Sequence, residues 1–231
     1  MPMRFLVQAP ITTAVPIELT ADRAHYLTRV MRLKAGDVVE CFDGNGKVFV
    51  AQLGEVGTKR CTLLVTNQRP IAQRPAVKLH LGISLLKGQA MDRAIQQATE
   101  LGVTSICLLD AHRSNVQLTA ERLDNKMNHW QKIIAGACEQ SGQLFLPTLS
   151  QPQSLERLIR STTTEIIILD MQGEKLPVTL PAAERTLLMG PEGGWDEEER
   201  RLFAAHQLAH YQLTRGTLRA ETVPSLSLIH I

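Results

Sequence analysis

The sequence predicts an α/β protein in two parts: a small β-barrel over residues 1–70, then an α/β domain with a mainly parallel sheet over residues 76–231. Three observations carry this. The front of the chain is a set of short strand-like runs with a single helical pattern. From residue 77 onward strands and helices alternate, as they do in units that build a parallel sheet. Between the two, residues 68–75 hold two prolines and two arginines with little apolar content, the composition of a linker.

In the front part, Arg4, Phe5, Leu6 and Val7 read as a first strand. A helical pattern begins at Thr20, with Ala24, Leu27, Val30 and Met31 on one face. Arg23, Arg29, Arg32 and Lys34 lie in or just beyond it. Strand-like runs follow at residues 38–42, 48–53 and 61–65, and Asp43-Gly44-Asn45-Gly46 is a strong hairpin signal between the first two. Small barrels of this kind often bind RNA, although fold alone does not establish that role.

In the second part, residues 77–86 read as a strand, 91–101 as an amphipathic helix stopped by Gly102, and 105–109 as a strand. A long helix is predicted over 119–141 and a short one over 155–160. Strands at 165–169 and 186–189, a helix at 197–206 and a strand at 209–213 complete the series.

The chain has 231 residues, 44% of them hydrophobic, enough to bury an ordinary core. No run is long enough to span a membrane and no signal peptide is recognisable, so a cytoplasmic protein is expected. Net charge is only +2, which does not announce a nucleic-acid binder, but residues 1–75 carry ten Lys or Arg against six Asp or Glu. Cys41, Cys61, Cys107 and Cys138 are widely spaced and form no Cys-x-x-Cys pair, the pattern of buried free thiols. His206 and His210 stand four apart, but a strand start falls between them and no metal site is expected.

The stretch with most chemical content is Leu187 to Trp195, an apolar run that breaks into Gly190, Pro191, Glu192, Gly193 and Gly194 before Asp196, Glu197, Glu198 and Glu199. Glycines allow close backbone approach to a ligand. Phosphate is the usual guest at such a helix start, yet no Lys-Ser or Lys-Thr follows, and Asp196 with Glu199 makes a capping box that occupies the free amides. A neutral or cationic ligand fits better, and a plain strand-to-helix turn remains open.

Ligands of open α/β sheets settle beyond the carboxyl ends of strands, which selects the loops at 170–173, 190–194 and 214–222. The last holds Arg219 and Glu221 around a small residue. Lys87, with Asp92 and Arg93 beyond it, follows the first strand of this part. His112, Arg113, Ser114 and Asn115 follow the second. Glu139 is a carboxylate at the unfavourable end of a helix, which hints at a site.

Five segments in order resemble one family. They are His25 to Arg32; Met91 to Val103; Trp130 to Ile133 leading to Ala137-Cys138-Glu139-Gln140-Ser141-Gly142; Gly190 to Gly194; and Leu218-Arg219-Ala220-Glu221-Thr222. The chain is similar in these to the ribosomal RNA small subunit methyltransferase E family of the SPOUT superfamily. The resemblance implies a PUA-like β-barrel that holds RNA, followed by a SPOUT-type trefoil-knotted domain. It implies S-adenosylmethionine (SAM) as cofactor, a homodimer, and methylation of N3 of one uridine in 16S ribosomal RNA of the small ribosomal subunit, without metal or membrane.

By the same resemblance, the cofactor is expected among Leu169, Met189, Gly190, Pro191, Glu192, Gly193, Gly194, Leu213, Leu218, Arg219 and Thr222. RNA is expected at Arg29, Arg32, Lys87 and Arg113. Such a ligand is zwitterionic with a sulfonium and no phosphate, in agreement with the acidic helix start. Uridine N3 carries a proton at neutral pH and needs that proton removed or the developing anion stabilised. Arg219 is the expected stabiliser, and Glu221 or Glu139 the expected proton acceptor.

The chain departs from the family pattern in three places. Thr214, Arg215 and Gly216 precede the Leu218 segment in an altered loop, and Gln143 stands where a basic residue is common. After Thr222, Val-Pro-Ser-Leu-Ser-Leu-Ile-His-Ile alternates as a strand does, where the family has an Ala- and Leu-rich helix, so an incomplete C-terminal helix is expected. Alternatives are methylation of a ribose 2′-hydroxyl by the same fold, or RNA binding without catalysis.

Overall fold

Apolar residues at every second position build the front of the chain into a mixed five-stranded sheet in the computed structural model, which describes residues 4–8, 10–12, 15–57, 60–116, 118–177 and 183–230. Its strands are β1 (Arg4–Leu6), β2 (Ile17–Glu18), β3 (Val38–Phe42), β4 (Val48–Val56) and β5 (Cys61–Gln68), in the order β1-β3-β4-β5-β2. It is a curled half-barrel in which β1 lies parallel to β3 and the other pairs are antiparallel. Asp43 closes the β3–β4 hairpin by accepting the Asn45 and Lys47 amides on Oδ1.

The first helix differs from its predicted face. After α1 (Ala21–His25) the backbone widens into a π-helical turn over Tyr26–Val30, with the Met31 amide donating to the Tyr26 carbonyl. A π turn takes more residues per revolution than an α turn. Ala24 and Leu27 stay in the core, while Val30 and Met31 rotate out to 59% and 41% exposure.

By its contacts the chain divides into two units, one of residues 1–74 with 138–145, the other of 75–137 with 146–231. Residues 69–74 belong to the first. The Arg69 amide donates to the Val48 carbonyl, and its guanidinium meets Glu40 at 2.7 Å. Arg4 meets the other oxygen of Glu40, also at 2.7 Å, and the Glu40 side chain is only 5% exposed.

Burial would raise the Glu40 carboxyl, but the hydrogen bonds and charges of Arg4 and Arg69 outweigh it and hold the group below its usual 4.5. A carboxylate stabilised in this way contributes above pH 4.5 and loses its contribution as pH falls through the lowered value. Glu40→Gln should therefore cost about 2 kcal/mol at pH 7, allowing for the exposure of Arg69. Urea melts should show the gap from wild type closing on acidification.

The second unit is a six-stranded sheet with every pair parallel among the described residues. Its elements are β6 (Lys78–Ser84), α2 (Gln89–Glu100), β7 (Ser105–Asp110), α3 (Ala120–Ser141), β8 (Thr148–Ser154), α4 (Leu155–Ser161), β9 (Glu165–Lys175), β10 (Glu184–Met189), α5 (Glu197–Ala205), β11 (Ala209–Gln212) and α6 (Val223–His230). The strand order is β11-β9-β10-β6-β7-β8. Leu188, Ile166 and Ile168 pack with Leu155, Leu158 and Ile159 of α4 and Phe203 of α5. Leu187 and Met189 point to the opposite face, and α6 meets β10. The last turn of α3, from Cys138, belongs to the first unit.

Three further elements depart from the sequence-based expectation, and in the first of them β9 runs on to Lys175 across residues 170–173, which read as a loop. β8 has no apolar alternation, since it is the edge strand, where Pro152 is tolerated. Residues 223–230 form a helix, not a strand. The 2-residue alternation coincides with an i, i+3, i+4 set, because Pro224, Ser227 and Leu228 are the buried positions, and Pro224 sits in the first turn, where its missing N–H costs nothing. All four cysteines are free thiols, and burial pushes Cys41 up to about 11 and Cys138 up to about 12. Among the described residues no helix is long and apolar enough to cross a membrane.

Candidate functional site

The middle of β9, around residues 169–171, and the carboxyl end of β11 open onto a cleft. Leu169, Met171, Leu213, Leu218 and Val223 supply apolar walls. Asp170, Tyr211, Gln212, Thr214 and Gly216 add polar and backbone groups. Among the described residues no lysine or arginine lines it, and none lies within 4 Å of where a Cβ on Gly216 would stand. These walls suit a flat heterocycle and an aliphatic chain that bears a sulfonium, and do not suit a phosphate. They fit SAM.

Among the expected cofactor residues, the structure brings Leu169, Leu213 and Leu218 together in this cleft. Met189 is the register partner of Leu169 on the neighbouring strand. Arg219 and Thr222 continue from Leu218 into the 3-10 turn Ala220–Thr222, the Thr222 amide donating to the Arg219 carbonyl at 2.9 Å. The side chains of Arg219 and Glu221 make no hydrogen bond or ion pair among the described residues.

The glycine loop adjoins the cleft through Trp195, whose Nε1–H donates to the Leu169 carbonyl at 3.3 Å. Its glycines answer mainly to internal packing. A Cβ on Gly190 would stand 3.1 Å from the Trp195 ring, and one on Gly193 would stand 3.3 Å from Arg113 Cβ. Gly194 has φ +66°, which favours glycine. Pro191 is buried and accepts the Gly194 amide, while Glu192 accepts the Lys87 amide at 3.2 Å. The capping box forms in full, with Asp196 accepting the Glu199 amide and Glu199 the Asp196 amide.

His112 Nδ1 lies 2.7 Å from Asp196 Oδ2 beside this loop, and Arg113 donates to the carbonyl of Gly193 at 3.2 Å. The hydrogen bond that the His112 imidazole donates to Asp196 raises it above its usual 6.5, against a smaller opposing effect of burial and with help from the charges of Asp196, Glu199 and Glu198. A raised histidine contributes fully below pH 6.5, and its contribution fades as pH rises through the raised value. In an NMR titration His112 should titrate above 6.5, and Asp196→Ser, which keeps a capping oxygen, should return it toward 6.5.

The other expected residues lie as follows. Arg29 and Arg32 are exposed in and after the π turn, Arg32 at φ +56°, and Lys87 and Arg113 are exposed at the ends of β6 and β7. Glu139 is committed within its own unit: it pairs with Arg23 at 2.6 Å and accepts the Leu6 amide at 2.9 Å. His210 packs edge-on against Phe203, and burial lowers its imidazole. Among the described residues no three His, Cys, Asp or Glu gather as metal ligands would.

Sequence reasoning missed Trp195 as the tie between loops, and Arg200, which reads as a solvated helix residue but binds Asp170. The one signal was that Asp170 opens a loop at a strand end.

A family model described as an RNA methyltransferase domain matches residues 73–231, and one described as an RNA methyltransferase PUA domain matches residues 19–66. The chain is 31% identical to a ribosomal RNA small subunit methyltransferase E from a Synechocystis strain, over all of this chain and 77% of that protein. It is 26% identical to the protein of that name from Bacillus subtilis, over 96% of this chain and 92% of the relative.

Among solved structures, a Legionella pneumophila protein in complex with SAM superposes with a TM-score of 0.92 at 29% identity, covering 99% of this chain and 96% of that one. A ribosomal RNA small subunit methyltransferase E from Neisseria gonorrhoeae bound to SAM gives a TM-score of 0.88 at 26% identity, covering 99% and 95%. The half-barrel, the parallel sheet and the matches over nearly the whole chain agree, and the chain belongs to the ribosomal RNA small subunit methyltransferase E family of RNA methyltransferases.

Proposed function

We propose that this protein transfers a methyl group from SAM to N3 of a uridine in 16S ribosomal RNA. The observation that carries the proposal is the cleft between the middle of β9 and the end of β11, lined by Leu169, Leu213 and Leu218, with Arg219 next in sequence to Leu218. SAM, when bound, supplies an electrophilic methyl group.

The protein's own residues do the rest. Apolar side chains of the cleft exclude water and hold the ligand for in-line approach, mostly a task of positioning. Arg219, exposed and without a hydrogen-bond or ion-pair partner among the described residues, is proposed to meet the negative charge that develops on the uracil ring as N3 loses its proton. Glu221, two residues on, accepts that proton directly or through a water. Glu139 is left to hold Arg23 and Leu6. The uridine must be unpaired or flipped out, because N3 lies on the pairing edge.

The half-barrel, with Arg29 and Arg32 exposed, is proposed to hold RNA, and Lys87 and Arg113 to meet it beside the glycine loop. A homodimer is proposed likewise, with Ile229, 65% exposed on α6, available to an interface. The reaction is placed in the cytoplasm, on ribosomal RNA or the small subunit. Calorimetry with SAM and transfer of labelled methyl to small-subunit RNA test the proposal together. SAM binding with methyl transfer is expected, whereas absence of SAM binding would leave an RNA-binding protein only.

A further inference from the structure

The β9–β11 pairing contains a large break in register. Ile168 pairs with His210, but Tyr211, the next residue of β11, pairs with Glu174, so residues 169–173 bulge out opposite two consecutive residues. Bulges recur beside functional sites because they re-aim side chains. Leu169, Asp170 and Met171 of this bulge line the cleft.

The bulge is fastened at several points. The Asp170 side chain, 6% exposed, accepts hydrogen bonds from both terminal nitrogens of Arg200, the one from Nη2 at 3.3 Å. Asp170 Oδ1 also accepts the Gln172 amide at 3.1 Å. Gly173 lies so close to β11 that a Cβ would stand 2.7 Å from the Tyr211 nitrogen, so only glycine fits. Arg200 itself does not line the cleft. It comes from α5, the helix launched by the glycine loop, and so ties that loop's helix to the bulge.

We infer that Arg200 is a positioning residue for the cleft: through Asp170 it locks residues 169–173 in the shape that receives SAM. This rests on the proposed cofactor and adds a residue that touches neither ligand nor substrate. Without Arg200 a nearly buried carboxylate loses its bidentate partner, and the wall that carries it is free to move.

The test compares wild type with Arg200→Met, Arg200→Lys, Asp170→Asn and the double variant Asp170→Asn/Arg200→Met, using SAM calorimetry and steady-state methyl transfer to small-subunit RNA. Arg200→Met should raise Kd and KM for SAM about 10-fold while kcat stays within about twofold, since positioning acts on binding of the ligand. Arg200→Lys should recover most of the affinity.

The double variant, which leaves no unpaired buried charge, should bind no more weakly than Arg200→Met alone, because both changes act on one contact. It also serves where the single variant fails to fold. Wild-type affinity for SAM in Arg200→Met overturns the inference, and so does additivity in the double variant, which would mean that Asp170 meets the ligand directly. Wild-type protein without SAM affinity overturns the cofactor and this inference together, a result distinct from the loss of Arg200's role alone.

Discussion

Arg219→Ala should lower the rate of methyl transfer by about 100- to 1,000-fold, the range for removing one preorganised donor to a developing anion. The expectation comes from placement. Arg219 follows Leu218, a wall of the cleft, and its extended backbone leads into the Ala220–Thr222 turn. Its guanidinium is exposed and makes no hydrogen bond or ion pair among the described residues, whereas Arg4, Arg23, Arg69 and Arg200 are all committed to carboxylates. A nearby guanidinium also favours the ionised base, commonly by 1–3 pKa units at about 4–6 Å. Single-turnover rates on small-subunit RNA with saturating SAM would measure the loss. Full methyl transfer with unchanged SAM affinity in Arg219→Ala would remove Arg219 from the mechanism.

Trp195→Ala should cost about 3–5 kcal/mol of stability in the second unit, as other buried Trp-to-Ala changes do. Trp195 is 2% exposed and stacks edge-on against Phe203 with ring centroids 5.1 Å apart. It covers the backbone of Gly190 and bonds the Leu169 carbonyl, so its loss should also weaken SAM binding through the cleft wall. Trp195→Phe keeps most of the volume but no N–H, and should cost about 1 kcal/mol for the lost hydrogen bond, plus whatever packing changes. Denaturant unfolding of the three proteins would test the order. A loss below about 1 kcal/mol in Trp195→Ala would mean the loop is not built on this ring.

Periodicity made the regular elements legible. Val38–Phe42 falls where a short strand-like run bounded by a hairpin signal puts it, and α2 buries Met91, Ala94, Ile95 and Ala98 at helical spacing. The local capping chemistry of Asp196 and Glu199 was equally readable, because it depends on residues three apart. Features set by distant partners were not. The π turn after His25 widens the helix where a regular period was expected. The bulge of residues 169–173 shows only once β11 is laid beside β9. Residues 69–74 read as a linker, yet Arg69 is drawn back to Glu40 across 29 residues of sequence.

The site shows the same division. That ligands gather beyond strand ends selects residues 170–173, 190–194 and 214–222, of which the first lie within β9 in the structure, and the glycines of the second loop read as room for a ligand. In the structure the spaces over Gly190 and Gly193 are taken by Trp195 and Arg113. Glu139 looked out of place at a helix end until its partners Arg23 and Leu6 were visible, both more than a hundred residues away. Arg200 carried no local signal, because an arginine on a charged helix is ordinarily solvated.

Incubation of unmodified small-subunit RNA with the protein and methyl-labelled SAM, followed by digestion to nucleosides and chromatography, tests the central claim most directly. Label in 3-methyluridine, at a single position of 16S ribosomal RNA, is the predicted result. Label in a 2′-O-methylated nucleoside, or no label in RNA from a protein that binds SAM, would contradict it.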